Sequence, residues 1–526
     1  MFLKNRVVQL ILAACLGGLV MLLPRPEGKV FEITGDPDRK ILSLVESGFK
    51  ETTKAPFKSE GYLVEVKDRA GDGPVFDELE KARQELGLEG ARIEHVDGLS
   101  PKAKRFLAAL VFLIFLFIFE PIPLEITAIL IGVILVFIGV VDVKGAWASY
   151  MHPVVVFIMC CLIFAIALER AGVTRRLGQA IARRAGESVT KFTFILAVGL
   201  GLASGIFHDA AACAIGIATM LPLMRAADIK PNTPTARFMM LSVPFACSAG
   251  GMGTLVGGGR CMVSAAFLKE FTGIEINFLD WMIFALPAAV VTVPVAVLVV
   301  YLVFRPDRKI KLPRFDDKPE PWTGMEKKTV AILLVGFGLW LTKSLHGLDY
   351  SLTGMLTVAA LVFARVLTWE DIHSHLEWGT ALFIFGGGIG LGLAMDASGA
   401  ARYFANLFFP LVHGGGWLLL FAGVALFGAL VTNAMANVAA AALILPIVIP
   451  LAELEGVDPR VLALCLGMAT SFAMLLVIGC PPNAIAYSFR QFKASDLTKA
   501  GLVGTPVLLA VLILVVSIWW NILGLV

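Results

Sequence analysis

Two apolar segments with the same polar pattern lie 224 positions apart in this chain of 526 residues. The later segment spans residues 431–446 and the earlier one spans residues 208–222. Aligned at this offset, they place Asp209 against Asn433, Cys213 against Asn437 and Pro222 against Pro446. A carboxylate or an amide in apolar surroundings is costly unless it has a partner. The pattern therefore indicates a duplicated unit with one polar site in each copy.

The composition is that of a membrane protein. Only 16% of the residues are charged and the mean hydropathy is +0.82, whereas soluble domains average about 25% charged residues. Apolar runs recur along most of the chain, which predicts a polytopic membrane protein with the lipid bilayer as its surroundings. The basic residues lie in short loops, so the net charge of +3 does not indicate nucleic-acid binding. No pattern of Cys, His or nucleophile and base predicts a disulfide framework, a metal centre or an enzyme, and no organic cofactor is expected.

The N-terminal part divides into residues 1–28 and 29–98. The apolar run at 7–23 predicts a first transmembrane helix, with a cleaved signal peptide as the alternative. Residues 29–98 are charged and predict a small soluble α/β insert outside the cytoplasm. We expect the order β-α-β-α-β, with strands at 29–34, 62–67 and 91–96 and helices at 38–49 and 75–86. The insert is short for an independent core, so we expect it to lean on the membrane domain or on a partner, and we favour an inert decoration over a ligand-sensing role.

The remainder divides into a first repeat at 99–328, which includes N-terminal scaffold helices, and a second repeat at 329–526. Basic loops at 170–187, 225–237, 305–328 and 490–499 belong in the cytoplasm by the positive-inside rule. This places the N-terminus inside and the insert and C-terminus outside. Residues 191–224 contain two apolar pieces that look too short to span separately, which predicts a re-entrant hairpin. The expected fold is an all-α polytopic membrane protein: an inverted repeat with about 11 transmembrane helices and two re-entrant hairpins, plus the α/β insert.

One helix in each repeat is interrupted. Residues 250–260 contain six glycines, and residues 478–483 contain a glycine and two prolines. Gly257 pairs with Gly479 at an offset of 222, close to the hairpin offset. Interrupted helices near the membrane midplane are typical of secondary transporters, and inward-pointing helix N-termini suit an anion.

Several of these motifs resemble the divalent-anion:sodium symporter family, which carries dicarboxylates, tricarboxylates or sulfate. The resemblance covers residues 7–28 and 99–526 and is carried by residues 99–105, 119–123, 250–257, 274–286 and 481–483. It implies a homodimer, an elevator motion and sodium coupling. The family's Ser-Asn-Thr triplet at each hairpin tip is here Ala436-Asn437-Val438 in the second half and Ala212-Cys213-Ala214 in the first. Its Thr-Pro-Pro-Asn motif is replaced at 258–261, whereas the second half keeps Pro481, Pro482 and Asn483.

The candidate site residues each have two interpretations. Asp209 could bind sodium, titrate or pair with a cation, or it could only cap a helix. His208 could couple protons or only line a wall. Arg260 could take the place of a sodium ion or bind an anionic substrate, with Asp209 as its counterion, or it could reach the surface from a helix end. The amides of Asn433, Asn437 and Asn483 could bind a cation or a carboxylate, or only join helices. Asn437 and Asp209 are the expected sodium ligands, and Cys213, Gly257, Gly479, Pro481 and Pro482 complete the expected site.

The sequence thus predicts a secondary transporter of small divalent anions in the inner membrane, coupled to sodium or, as an alternative, to protons. A sodium/proton antiporter or an arsenite-type permease of related architecture is the first alternative. A membrane sensor that uses the insert is the alternative from another class.

Overall fold

The computed structural model describes residues 6–45, 49–52, 61–66, 73–88, 90–96, 98–313, 321–376, 378–412 and 414–526. They form two compact units. Unit 1 comprises Met1–Ser149, Gly387–Gly416 and Pro446–Pro459, and unit 2 comprises Tyr150–Gly386, Trp417–Leu445 and Arg460–Val526. Each unit draws on both halves of the chain, so the compact units and the predicted repeats are different divisions. The repeat boundaries stay a prediction.

The insert in unit 1 is a four-stranded antiparallel sheet with two helices. The strand order is β2-β3-β1-β4. The elements are β1 Val30–Thr34, α2 Lys40–Val45, β2 Phe49–Thr52, β3 Tyr62–Val66, α3 Gly73–Glu85 and β4 Arg92–His95. The three expected strands and both helices are present. The sequence-based prediction missed β2, and its expected helix at 38–49 ended at the first residue of that strand. Four residues at a sheet edge are too few to show a detectable alternation of apolar and polar side chains. The insert has its own core around Phe31, Ile33, Ile41 and Val64.

Asp36 organises the first turn of this insert. Its carboxylate accepts hydrogen bonds from the amides of Lys40 at 3.0 Å and Ile41 at 2.9 Å, and from the hydroxyl of Tyr62 at 2.8 Å. Burial favours the protonated acid, but the three hydrogen bonds outweigh it, so the pKa of Asp36 is lowered from 3.8. Burial and the Asp36 carboxylate together raise the pKa of Tyr62.

The other helices of unit 1 lie on both sides of the insert in sequence. They are α1 Arg6–Leu22, α4 Pro101–Phe119, α5 Leu124–Phe137, α6 Val143–Ala148 and α19 Ala400–Val412. Helices α1, α5 and α19 each pack against α4. The insert contacts this group as expected, since Asn406 Nδ2 donates to Val96 O at 2.8 Å and Arg402 pairs with Glu32.

Unit 2 is helical and holds nearly all of the segments with the site motifs. Its helices are α7 Pro153–Arg170, α8 Val173–Ala185, α9 Val189–Phe207, α10 Asp209–Ala226, α11 Pro234–Gly250, α12 Gly259–Thr272, α13 Phe278–Phe304, α14 Gly324–Leu341, α15 Lys343–His346, α16 Tyr350–Phe363, α17 Trp369–His375, α20 Gly416–Ala434, α22 Pro459–Ala469, α23 Pro481–Ser488 and α24 Ala494–Leu523. Helices α18 Phe385–Ala397 and α21 Asn437–Leu454 contribute residues to both units. Helices α9 and α11 pack closely, because Gly201 and Gly250 let their backbones touch: a Cβ at Gly250 would lie 1.6 Å from Gly201 O.

Seven helices among the described residues are long and apolar enough to cross a membrane. They are Val143–Arg170, Val189–Phe207, Asp209–Ala226, Phe278–Phe304, Gly416–Asn433, Asn437–Leu454 and Ala494–Leu523. A pair bent by 74°, Ala381–Ala397 and Ala400–Leu407, makes a further candidate. The chain is thus a multi-pass membrane protein, and the number of eleven spans stays a prediction. The premise that both hairpin pieces are too short is wrong, because α9 and α10 have 19 and 18 residues. They do pack against each other around a break of one residue, which is the geometry of a hairpin.

Candidate functional site

His208 forms the tip between α9 and α10. Its backbone has φ 68° and ψ 144°, a region that costs a residue with a Cβ of the order of 1–3 kcal/mol. Its Nδ1 lies 3.4 Å from the amide of Ala210 and caps α10. The interpretation of Asp209 as the cap is therefore wrong: Asp209 is the first residue inside the helix, and the side chain before it does the capping.

Asp209 instead forms a buried ion pair with Arg260. The Arg260 Nη1 donates to Asp209 Oδ2 at 2.8 Å, and both residues are 1% exposed. The other carboxylate oxygen, Oδ1, lies 3.3 Å from His208 Nδ1. Arg260 is the second residue of α12. The fold thus brings together two residues, Asp209 and Arg260, that are 51 positions apart in the sequence. The alternative in which Arg260 reaches the surface is wrong, because the guanidinium is enclosed.

The guanidinium of Arg260 has three different partners. Besides the carboxylate of Asp209, its Nε donates to Ser471 Oγ at 2.8 Å and its Nη2 donates to Ser248 O at 3.0 Å. Buried charges are stable only with such a set of partners. The arrangement fixes an ion pair that is neutral overall, with one further hydrogen-bond partner of the guanidinium from each half of the chain.

Several glycines leave space for the guanidinium of Arg260. A Cβ at Gly258 would lie 2.5 Å from Arg260 Nη1, and a Cβ at Gly257 would lie 2.3 Å from Gly251 O. The carbonyl of Gly257 accepts a hydrogen bond from the Asp209 amide at 3.1 Å. The glycine-rich stretch therefore packs against the hairpin tip through its backbone and through the side chain of Arg260.

In the second half, Asn433 joins two segments. Its Oδ1 accepts a hydrogen bond from the Leu475 amide at 2.6 Å, and its Nδ2 lies 2.6 Å from Ala429 O and 3.5 Å from Phe472 O. These contacts match the second interpretation of Asn433, in which its amide joins segments of the protein and does not bind a ligand. Asn433 thus stabilises the non-helical stretch that follows α22.

Asn483 contacts the same stretch and keeps one oxygen available. Its Nδ2 donates to Ala473 O at 2.7 Å and to Leu476 O at 3.2 Å. Its Oδ1 is buried and has no hydrogen-bond partner among the described residues. Asn437, the first residue of α21, is also buried. Buried polar oxygens normally have partners, so an orphaned amide oxygen fits a hard cation, which prefers oxygen ligands.

Two further contacts connect the halves. Cys213 Sγ lies 3.4 Å from Pro482 O, and Ser248 Oγ lies 3.5 Å from Cys480 Sγ. Gly479 is buried, and a Cβ there would lie 3.1 Å from Ala473 Cβ. Pro481, by contrast, is exposed. The contacts therefore bring most of the predicted residues into one region of unit 2.

Ser248 and Ser471 are two site residues that the sequence analysis missed. They lie 223 positions apart, between the offsets of 222 and 224 already seen for the other repeated positions. Applying the repeat offset to small polar residues, and not only to amides and glycines, would have found both. Among the described residues, no group of three or more His, Cys, Asp or Glu side chains could hold a metal ion.

Comparisons with known proteins give consistent matches. The profile of the family described as "Sodium:sulfate symporter transmembrane region" matches residues 91–526. The chain is 28% identical over 438 residues to an uncharacterized transporter of Haemophilus influenzae, which covers 80% of this chain and 92% of that protein. It is 26% identical over 453 residues to the sodium-dependent dicarboxylate transporter SdcS of Staphylococcus saprophyticus, which covers 80% and 86%. A solved structure, the Alcanivorax borkumensis YdaH transporter, matches 72% of this chain and 86% of that one with 16% identity and a TM-score of 0.47.

Proposed function

Because this chain belongs to the sodium:sulfate symporter family, we propose that it is a secondary transporter that moves small divalent anions together with sodium. The substrate class is dicarboxylate, tricarboxylate or sulfate, and the chain is no enzyme. Two of its relatives in staphylococci are described as sodium-dependent dicarboxylate transporters, which supports sodium and a carboxylate substrate.

The observation that carries the sodium assignment is the orphaned oxygen of Asn483. This residue is 1% exposed, and its amide nitrogen already donates to two carbonyls. The free Oδ1 therefore offers a lone pair to a cation, with Asn437 as the second amide ligand of the proposal. One sodium ion at this site supplies positive charge next to the N-terminus of α23, where a substrate carboxylate is favoured.

The first half is built differently from the second. There the Asp209 carboxylate is neutralised by Arg260, so it does not present a free ligand to sodium. The ion pair is neutral overall and needs no ion from solution. We therefore expect fewer sodium ions per transported anion than a protein with a cation site in each half would require.

The test is uptake of radiolabelled succinate, citrate and sulfate into proteoliposomes. We expect uptake of at least one anion that rises with an inward sodium gradient. Empty liposomes and the Asn483→Ala variant are the controls. The proposal would be contradicted if none of the three anions were taken up, either with or without the sodium gradient. Counting sodium-22 against the anion in the same vesicles measures the stoichiometry.

A sodium/proton antiporter is the second candidate, favoured by the contact between His208 and Asp209. An antiporter would change the internal pH of vesicles when sodium is added without any anion, whereas the anion transporter would not. A pH-sensitive dye in the same proteoliposomes separates the two functions. The inner-membrane location, the homodimer and the elevator motion are parts of the proposal, and crosslinking in native membranes tests the dimer.

A further inference from the structure

A polar cavity lies in unit 1 and is lined by other residues than those of the site described above. Its volume is about 620 Å³. Three segments line it: α3 and β4 of the insert, the first turn of α4, and the turn between α18 and α19. The proposed transport site does not use any of these residues. The cavity is also the place where the insert meets the helices of unit 1.

The walls of this cavity are held by specific contacts. Ser100 caps α4 by accepting a hydrogen bond from the Ala103 amide at 2.9 Å, and its hydroxyl donates to Ser398 O at 2.8 Å. Arg402 pairs with the buried Glu32 of β1. These contacts connect the insert, α4 and the turn between α18 and α19. The walls of the cavity are therefore held in place by hydrogen bonds and an ion pair.

The charge on these walls is mainly positive. Arg83, Lys102, Arg105 and Arg402 line the cavity, together with two carboxylates, Glu80 and Asp396. Arg83 pairs with Glu80, and Arg402 with Glu32. Across the described part of the chain, Lys102 and Arg105 have no ion pair or side-chain hydrogen bond.

Lys102 and Arg105 also repel each other. They are three positions apart on α4 and therefore lie on the same helix face. Burial lowers the pKa of Lys102, and the charge of Arg105 lowers it further, while Glu80 acts in the opposite direction. Two neighbouring cations at a helix N-terminus are destabilised by the helix dipole as well. An anion between them would relieve all three effects.

We infer that this cavity binds a small oxyanion with at least two negative charges, held by Lys102 and Arg105. The ligand would carry phosphate, sulfate or carboxylate groups, and Arg83 and the N-terminus of α4 would add to its binding. The apolar part of α4 begins directly after Arg105, at Phe106. The same chemistry could thus come from a free anion or from the headgroup of an anionic lipid, which the experiment below separates.

The position of the cavity indicates what the ligand would do. It would contact the insert, α4 and the turn between α18 and α19 at once, and so stabilise the docking of the insert. The insert would then sense an anion, which is a different role from the decoration that the sequence favoured.

The test measures phosphate binding by isothermal titration calorimetry, with the full-length protein in nanodiscs of phosphatidylcholine. The variant Lys102→Gln/Arg105→Gln is compared with Lys104→Gln, a matched control on the same helix turn that does not line the cavity. We expect the double variant to bind phosphate at least tenfold more weakly and the control to bind like the unaltered protein. Phosphate that enters the transport site contributes equally to both variants, so their difference reports on the cavity alone.

A second variant acts in the opposite direction. Glu80→Gln removes a carboxylate from the wall and frees Arg83 from its ion pair, so it should tighten phosphate binding several-fold. Equal phosphate affinity of the double variant and the control, together with no gain in Glu80→Gln, would overturn the inference. For the lipid source, nanodiscs with phosphatidylglycerol should raise the unfolding temperature of the control, but not of the double variant, and should block phosphate binding.

Discussion

The ion pair between Asp209 and Arg260 allows a quantitative prediction. Asp209→Asn keeps the size of the side chain and its hydrogen bond to the guanidinium, but removes the negative charge. Arg260 would then be a buried cation without a counterion, 1% exposed and with only neutral partners at Ser248 and Ser471. Removing one partner of a buried ion pair typically costs about 3–5 kcal/mol.

We therefore expect Asp209→Asn to lower the free energy of unfolding by about 3 kcal/mol or more. Arg260→Met should have a similar cost, because it leaves the carboxylate buried without a cation. The double variant Asp209→Asn/Arg260→Met should cost clearly less than the sum of the two, since it leaves no buried charge. This difference is the coupling energy of the pair.

The measurement is denaturant-induced unfolding of the purified protein in detergent, followed by intrinsic tryptophan fluorescence. Glu370→Gln, at an exposed position of α17, serves as the control for loss of a carboxylate. Additive effects of the two single changes, or an Asp209→Asn protein as stable as the control, would refute the view that the two charges stabilise each other.

Three further predictions follow from other contacts. Asn483→Ala removes the orphaned oxygen, so the sodium concentration for half-maximal uptake should rise about tenfold or more; uptake with unchanged sodium dependence would contradict this. Gly250→Ala would place a methyl group 1.6 Å from Gly201 O and should cost about 3 kcal/mol or more in denaturant unfolding, whereas the control Gly338→Ala, with nothing within 4 Å, should be neutral. The lowered pKa of Asp36 means that its contribution to stability is complete above pH 3.8 and is lost as the pH falls through the lower folded-state value. Asp36→Asn should therefore weaken the insert most above pH 3.8, and the difference in pepsin cleavage between the variant and the unaltered protein should shrink as the pH falls below that value; a difference that stays constant as the pH falls would be the contrary result.

Much of the secondary structure was predictable because its signals are local. The expected strands at 29–34 and 62–67 closely match β1 and β3, and α9 and α10 form the hairpin expected within residues 191–224. Apolar runs, a capping residue and a glycine cluster each act within a few residues of the chain. The same local reading failed for β2, where four edge residues carry too little pattern.

The sequence by itself determined that the chain is a polytopic membrane protein with a repeated polar motif, because hydropathy and repeat spacing need no knowledge of packing. It also marked Asp209, Arg260 and the asparagines as polar groups that require partners. Only the tertiary structure decided which partners they have. Ser471 reaches Arg260 from 211 positions away, and Asn433 holds a backbone amide 42 positions away. Such contacts depend on how helices pack, and burial then makes each of them important, since an unmatched charge or amide in an apolar interior is costly.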